Sequence, residues 1–479
     1  MDTMEPLPSL LEPDWETAET ILYQGRGRII EMDVPCEVTV DLQWLPRHEV
    51  RLLLSSTVDT PVNWLHLNKH KPFHVHLDNL AGPNNLVEAY HRKSSWDKAT
   101  AWLAERTLTG DAAAPVKLVS GSLVNFIEAN GSPLKGAIEG VEWDWLGRNR
   151  WVVEGWEIIL DAHPGAGSTL RRIRDNGGYS RTHALRISKV DGAQFMAVDA
   201  EAAMEAIHLA LSFLAGRFTA PQFEDIRANG ERAWQEWATP KVDQLTHGHQ
   251  ELWSGHRGQS IELMAAPLIK AFLNAARRPT LAFLIQAHLG ANGSALLEQR
   301  LLLAFAAIEH LAWIRLVHEQ GKNPQKIDSK GAEWRIRRML TDFQIPTTPP
   351  AHLPTLKAYA ATINMDSAKA VTELRHALTH PKDPHALYAQ AGLLREAWLL
   401  TSHWLSLLIL AWVDYRGEVI DTSDLNRWGS DTITTPGDIV RTFCHIRAGP
   451  FTLSGFHVHW PAGGFSLPIV RPSPRTACC

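Results

Sequence analysis

The stretch Leu301-Leu-Leu-Ala-Phe-Ala-Ala-Ile-Glu-His-Leu-Ala-Trp313 decides the fold of the second half of this chain. Its apolar residues recur every three or four positions, as they do along one side of a helix. The helical pattern extends outward to Ser294, which can cap a helix, and to Gly321, which can end one. A helix with so wide an apolar stripe has to be covered by other helices. The stretch therefore predicts a core helix of a bundle.

Further segments with the same helical period follow it along the chain. They are Trp334–Phe343, Leu356–Ile363, a segment capped by Asp366 or Ser367, and Leu393–Tyr415. Four or five helices of this kind predict an antiparallel bundle. The apolar run 397–413 within the last helix is short for a bilayer span and is interrupted by polar residues, so we expect a buried core helix and no membrane segment.

Residues 1 to about 190 have a different pattern, rich in β-branched and aromatic residues between turn signals. We predict an antiparallel, sandwich-like β region there, and Asp199 begins a helix that runs through Ala215. The fold class is thus α+β with several domains: a β-rich sensing or regulatory domain over 1–220 that ends in a helix, a helical bundle over 221–420, and a tail over 421–479. The tail is rich in Gly, Pro, Ser and Thr, which fits either short strands or partly disordered chain.

The composition restricts the class of protein. With 479 residues, 45% hydrophobic residues and a net charge of −5, the chain is a globular protein without a general basic field for nucleic acid. The N-terminus has neither the basic nor the apolar region of a signal peptide. The four cysteines have no metal-ligand spacing, which together with the N-terminus predicts a cytoplasmic protein; they are Cys36, Cys444, Cys478 and Cys479.

The most reactive side chains lie in Glu373-Leu-Arg-His-Ala-Leu-Thr-His380-Pro. An arginine can bind a phosphate, and histidines exchange protons near neutral pH, so the stretch holds the groups needed to cut RNA without a metal. On an ideal helix Arg375 and His380 lie ~140° apart around the axis. However, a residue before proline is pushed away from helical dihedral angles, so His380 can turn off the helix end. Alternatively, Arg375 pairs with Glu373 or a carbonyl and His380 only ends the helix.

Three segments together resemble a HEPN domain and, more narrowly, the ApeA-like branch of bacterial antiphage proteins. They are 301–313, 371–381 and 407–417, within a region of about 260–420. That family carries the motif Arg-polar-x-x-x-His, with Asn, Asp or His at the polar position, and here those positions are Arg375, His376 and His380. The histidine at the polar position is a permitted variant of the motif.

The resemblance implies an endoribonuclease that needs no metal or other cofactor and acts as a homodimer or larger homo-oligomer. The family implies an antiviral or abortive-infection toxin that a phage-derived trigger would release, in which a ribose 2′-OH attacks the neighbouring phosphate of the RNA. Arg375 would stabilise the charge on the phosphate, His380 would act as general base or acid, and His376 would orient the phosphate or share the proton transfer.

Other residues are candidates for support of this site. Glu309 on the first long helix can hold a histidine or Arg375 in register, and Glu373 lies within the motif itself. Arg335, Arg337 and Arg338 on the shorter helix can extend a basic groove that binds RNA.

Two other functions remain open from the sequence. In the first, the helical bundle is a non-catalytic module for dimerisation or ligand binding, and the arginine and histidines are structural. In the second, a metal hydrolase uses His-x-His pairs, which occur at His74/His76, His247/His249 and His457/His459. A zinc site needs at least a third ligand, and no cysteine or acidic residue stands at a convincing spacing from these pairs.

Overall fold

The computed structural model describes residues 4–8, 19–44, 47–57, 64–67, 69–80, 82–127, 129–138, 140–228, 231–245, 250–253, 261–293, 295–383, 385, 387–427 and 432–435. The chain divides into two compact units, 1–437 and 438–479, and all of the described residues belong to the first unit.

Six antiparallel strands form a closed barrel at the N-terminus, in the order β1-β2-β3-β6-β5-β4. The strands are β1 Glu19–Ile29, β2 Val34–Gln43, β3 Glu49–Ser56, β4 Phe73–Leu77, β5 Leu86–Ser94 and β6 Lys98–Leu103. Alternate residues point inward, as the two-residue period of a strand requires. In β2, for example, Val38, Val40 and Leu42 are all buried in the barrel core.

Eight further strands form a second sheet, in the order β7-β14-β13-β8-β12-β11-β10-β9. They are β7 Thr107–Gly110, β8 Leu118–Val124, β9 Ser132–Ile138, β10 Val141–Val153, β11 Trp156–Ala162, β12 Arg181–Lys189, β13 Pro221–Ala228 and β14 Glu231–Trp237. Helices α1 Ala166–Asn176 and α2 Ala197–Ala215 interrupt the sheet in sequence. The sheet therefore continues through β14, past residue 220, where the sequence placed the end of the first domain.

Helix α2 joins the sheet to the helices that follow. From Ala206 to Ala215 it is almost entirely buried, and its alanine-rich sequence lets neighbouring elements approach closely. It packs against β13 of the sheet and against the first two helices of the second half. One continuous hydrophobic core consequently runs from the sheet, through α2, into the helical half.

The described part of the helical half contains eight α-helices. They are α3 Ile261–Leu273, α4 Arg278–Asn292, α5 Leu297–Trp313, α6 Pro324–Asp328, α7 Ala332–Asp342, α8 Pro354–Thr362, α9 Ser367–Thr379 and α10 Leu393–Trp412. Helix α10 is the centre of the bundle: it is buried on nearly all sides and packs against α4, α5, α8 and α9. A π-helical segment, Ile314–Glu319, prolongs α5 to about the length predicted from the sequence.

One helical segment of the described chain, Leu297–Glu319, is long and apolar enough to cross a membrane by length and composition alone. Its α-helical part packs against α4, α7, α9 and α10, and a core helix passes the same test.

Part of the predicted tail packs against the helices. Strands β15 Glu418–Ile420 and β16 Thr432–Thr434 form a small hairpin. The Ile420 amide donates a hydrogen bond to the Leu252 carbonyl at 3.1 Å, and buried His403 of α10 lies 3.5 Å from the Asp421 carboxylate. The remainder of the tail, from residue 436, lies outside the described residues.

The coarse prediction of an α+β protein, β-rich in its first half and helical in its second, is confirmed. The sandwich-like arrangement is corrected to a closed barrel and an eight-stranded sheet. Apolar alternation shows which face of a strand is buried, but it does not show whether a sheet closes on itself.

Candidate functional site

Helix α9 carries the predicted arginine–histidine site, and both of its ends follow from the sequence. The Asp366 side chain is the N-cap and accepts a hydrogen bond from the Lys369 amide at 3.1 Å. Val371 and Leu374 are buried and hold the helix on the bundle. The helix ends at His380, whose dihedral angles of φ −137° and ψ 64° are not helical. This is the expected effect of the proline that follows it.

Arg375 faces the bundle rather than the solvent. Its side chain is 35% exposed, and its Nη2 lies 3.7 Å from Glu309 Oε2 on α5. The guanidinium carbon lies 5.3 Å from the centre of the Phe305 ring, also on α5. Glu309 binds a second arginine more closely, because its Oε1 accepts a hydrogen bond from Arg335 Nη2 of α7 at 2.6 Å. Two guanidinium groups thus share one carboxylate.

His376 and His380 point away from this contact. Both are exposed, and their ring centres lie 5.1 Å apart at an interplanar angle of 48°. One helical turn brings the two rings together, whereas consecutive residues lie about 100° apart around the axis. Arg375 therefore turns toward α5 while His376 turns to solvent. Among the described residues, the ionic and ring contacts of Arg375 are with Glu309 and Phe305 and include neither histidine.

The predicted RNA-binding arginines are bound to carboxylates. Arg337 forms ion pairs with Asp366 and with Glu333, and Arg338 Nε lies 2.9 Å from Asp342. Each of these charges, like that of Arg335, is thus matched locally by an acidic side chain.

Glu373 takes part in the same network through a lysine. Lys369 Nζ lies 2.7 Å from Glu373 and 3.0 Å from Glu333. Hydrogen bonds that the Lys369 ammonium donates to these two carboxylates, to Glu373 first, raise the pKa of Lys369 above its ordinary value.

The described face between α5, α7 and α9 therefore carries five ion-paired cations and five carboxylates. The cations are Arg335, Arg337, Arg338, Lys369 and Arg375, and the carboxylates are Glu309, Glu333, Asp342, Asp366 and Glu373. A phosphate backbone would have to compete with these carboxylates for every arginine. The paired charges do not form the open basic groove that the sequence predicted.

The described His-x-His pair does not form a metal site. On β4, the Nδ1 of His74 lies 2.7 Å from Glu31, and that of His76 lies 3.3 Å from Asp78. Within the part of the chain that the structure describes, no group of three His, Cys, Asp or Glu residues is placed to hold a metal ion. The pairs at 247/249 and 457/459 lie outside the described residues.

The sequence did not point to a second polar cluster, at the edge of the eight-stranded sheet. Arg106 binds Glu236 of β14 through Nε and Glu201 of α2 through Nη1. These partners lie 130 and 95 positions from Arg106 in sequence, so no local motif connects them. The signal available was Glu236 itself, a charged residue within a strand between Trp234 and Trp237.

Comparison with known proteins finds family matches for two regions of the chain. Residues 111–248 match the family described as the YopA central domain, and residues 274–433 match the YopA C-terminal domain. The chain is 26% identical over 288 residues to the SPbeta prophage-derived uncharacterized protein YopA of Bacillus subtilis (strain 168). That alignment covers 58% of this chain and 63% of the relative's length. No solved structure matches the chain.

The resemblance to a HEPN domain of the ApeA-like branch is therefore wrong. The region that suggested it, 260–420, falls largely within the match to the YopA C-terminal domain. The physical reason for the error is that apolar periodicity occurs in any helical bundle, and an arginine five positions before a histidine occurs often by chance. The predicted antiviral and abortive-infection role was implied by this resemblance, which no longer supports it.

Proposed function

We propose that this chain is a YopA-type protein and a non-catalytic interaction protein, whose helical half forms a rigid binding or dimerisation module. The observation that carries the proposal is the position of Arg375, held between the Phe305 ring and the Glu309 carboxylate that Arg335 also binds. An arginine used in this way stabilises the packing of α9 on α5. We propose the cytoplasm as its compartment, since Cys36 is a buried free thiol.

The electrostatics of the site support a structural role for Arg375. To bind a phosphate, the Arg375 guanidinium has to give up its contact with Glu309. The Glu309 carboxylate, which is 18% exposed, would then lose one of its two arginine partners. Catalytic sites instead keep donors free and aimed at the position where charge develops. The other arginines and the lysine of α7 and α9 are likewise bound to carboxylates and are not free to bind a phosphate.

A second candidate is metal-independent RNA cleavage, and the pair of imidazoles favours it. His376 and His380 are exposed, and their rings are close enough to act on one phosphodiester. One neutral ring would accept the proton of the ribose 2′-OH as that oxygen attacks phosphorus. The other ring, protonated, would donate its proton to the departing 5′-oxygen, leaving a 2′,3′-cyclic phosphate and a 5′-hydroxyl.

One experiment separates the two functions. Purified full-length chain is incubated with labelled RNA in the presence of EDTA, and products ending in 2′,3′-cyclic phosphate are measured. The variants are His376→Ala and His380→Ala, with His318→Ala as the matched control because this histidine is also exposed but lies outside α9. We expect no cleavage above the buffer level by any of the four proteins. Cleavage that the control retains and either α9 variant loses would overturn the non-catalytic proposal.

The interaction proposal also has a direct measurement. Light scattering of the full-length chain over a hundredfold concentration range is expected to show a dimer or a larger assembly. A monomer at every concentration would contradict self-association.

A further inference from the structure

A cavity of about 620 Å³ is lined by residues of α2, of β13 and β14 in the eight-stranded sheet, and of the segment that follows β14. This volume is within the usual range for small-molecule sites. Met204 of α2 and Phe223 of β13 supply apolar wall, and Glu201 and Glu205 lie on the exposed side of α2. The cavity is distinct from the arginine–histidine face, none of whose residues line it.

Glu236 is one of the residues that line this cavity, and one of its carboxylate oxygens is an unused acceptor among the described residues. The residue is only 6% exposed, and its Oε1 binds Arg106 Nε. Its Oε2 is buried and has no hydrogen-bond partner among the described residues. A buried carboxylate oxygen without a donor is costly, so the arrangement calls for a donor from a ligand. Burial raises the pKa of Glu236, although the nearby Arg106 opposes that shift.

The charges around the cavity leave a carboxylate in excess. Its lining has three carboxylates, those of Glu201, Glu205 and Glu236, against the guanidinium groups of Arg106 and Arg278. Arg106 is already bound to two of the carboxylates, and Arg278 Nε donates to the Phe272 carbonyl at 3.0 Å.

The remaining titratable group of the lining, His208, adds a second acceptor without adding charge. Burial lowers the pKa of His208 to about 4, so its ring is neutral near pH 7. Its Nε2 is buried without a hydrogen-bond partner among the described residues. A ligand that donates hydrogen bonds and carries positive charge therefore fits both the unused acceptors and the charge excess.

We propose that this cavity binds a small organic cation that has N–H donors and a short apolar body, such as a primary amine or an alkylguanidinium. The cationic head donates to Glu236 Oε2, and the apolar body lies against Met204 and Phe223. The excess carboxylate, Glu205, faces the head from the rim. This site is independent of the interaction function proposed for the helical half.

Isothermal titration calorimetry of the full-length chain tests the proposal with three probes. Butylamine and pentylamine carry one positive charge with N–H donors on an apolar chain, whereas choline carries the same charge without an N–H donor. We expect the first two probes to bind and choline to bind at least tenfold more weakly. Failure of both amines to bind, or equal binding of choline, would overturn the proposal.

Two variants locate the binding. Glu236→Gln keeps one oxygen for Arg106 and places an amide donor where the unused acceptor stood, so amine binding should fall at least tenfold. Glu205→Gln, on the exposed side of the cavity, should weaken it about threefold, and this variant tests the site even if Glu236→Gln does not fold. The control is Glu142→Gln, an exposed residue of β10 near the opposite edge of the sheet, which should bind like the wild type. Unchanged amine binding in both cavity variants would refute the assignment.

Discussion

The shared carboxylate of Glu309 makes a quantitative prediction about stability. Arg335 Nη2 lies 2.6 Å from this carboxylate, and both side chains are less than one-fifth exposed. A charge-assisted hydrogen bond of this kind contributes about 2 kcal/mol. Arg375 lies 3.7 Å from Glu309 with a side chain that is 35% exposed, so this pair contributes about 0.5 kcal/mol. Its position over Phe305 adds about 0.5 kcal/mol.

We therefore expect Arg335→Ala to lower the free energy of unfolding by about 2 kcal/mol and Arg375→Ala by about 1 kcal/mol. The assay is urea unfolding followed by far-ultraviolet circular dichroism, since both residues hold helices together. Double-mutant cycles with Glu309→Ala isolate the two pair energies. The coupling of Glu309 to Arg335 should exceed its coupling to Arg375 by about 1 kcal/mol or more.

Two results would refute this reasoning. If the coupling of Glu309 to Arg375 equals or exceeds its coupling to Arg335, the distances do not rank the interactions. If Arg375→Ala leaves the unfolding curve unchanged, the arginine does not stabilise the packing of α9 on α5. The structural role on which the proposed function depends would then be lost.

Three further predictions concern a helix cap, two buried histidines and two glycines. Asp366→Ala removes the N-cap of α9 and should lower the free energy of unfolding by about 1–2 kcal/mol in urea titrations, whereas Asp366→Asn, which keeps the capping oxygen, should lower it by less. Burial lowers the pKa of His48 and of His288 to about 4, below the ordinary 6.5, so the unfolded chain binds more protons and acid destabilises the fold. Between pH 6 and pH 4.5 each of these two histidines should lower the free energy of unfolding by about 1.4 kcal/mol for each pH unit of acidification. His288→Gln should remove the contribution of one histidine from that slope. A free energy of unfolding that rises toward pH 4.5 would contradict the predicted sign. Gly216→Ala, at φ +65° with its new Cβ in close contact with the Gln250 carbonyl oxygen, should lower the melting temperature much more than Gly321→Ala, at φ +63° with nothing within 4 Å. Equal shifts for the two glycine variants would show that the close backbone contact does not matter.

Local features of the site were predictable because they depend on neighbours in sequence. Asp366 was one of two predicted caps, and it does accept the hydrogen bond from Lys369. The effect of Pro381 on His380 follows from the clash of a proline ring with the residue before it. The long apolar pattern from 301 to 313 correctly predicted α5, because apolar residues at a spacing of three or four positions indicate a helix with one buried face.

The partners of the charged side chains were not predictable in the same way. Glu309 was expected to hold Arg375 or a histidine. It does lie 3.7 Å from Arg375, yet its closest partner is Arg335, which the sequence had assigned to RNA. Ion pairs between helices depend on the rotation and separation of those helices, and neither quantity is encoded in a five-residue motif. The family resemblance failed for another reason: apolar periodicity occurs in any helical bundle, and a motif of two or three residues occurs often by chance.

The sequence by itself determined the elements of this protein: a β-rich first half, a helical second half, and the ends of the helix that carries Arg375, His376 and His380. These depend on local dihedral preferences and on the period of apolar residues. Only the tertiary structure decided that six strands close into a barrel and that α2 joins the sheet and the helices in one core. It also decided that Arg375 turns to a carboxylate and that Glu236 keeps one oxygen without a donor among the described residues. These outcomes depend on which distant residues come together, and that is settled by the packing of the whole chain.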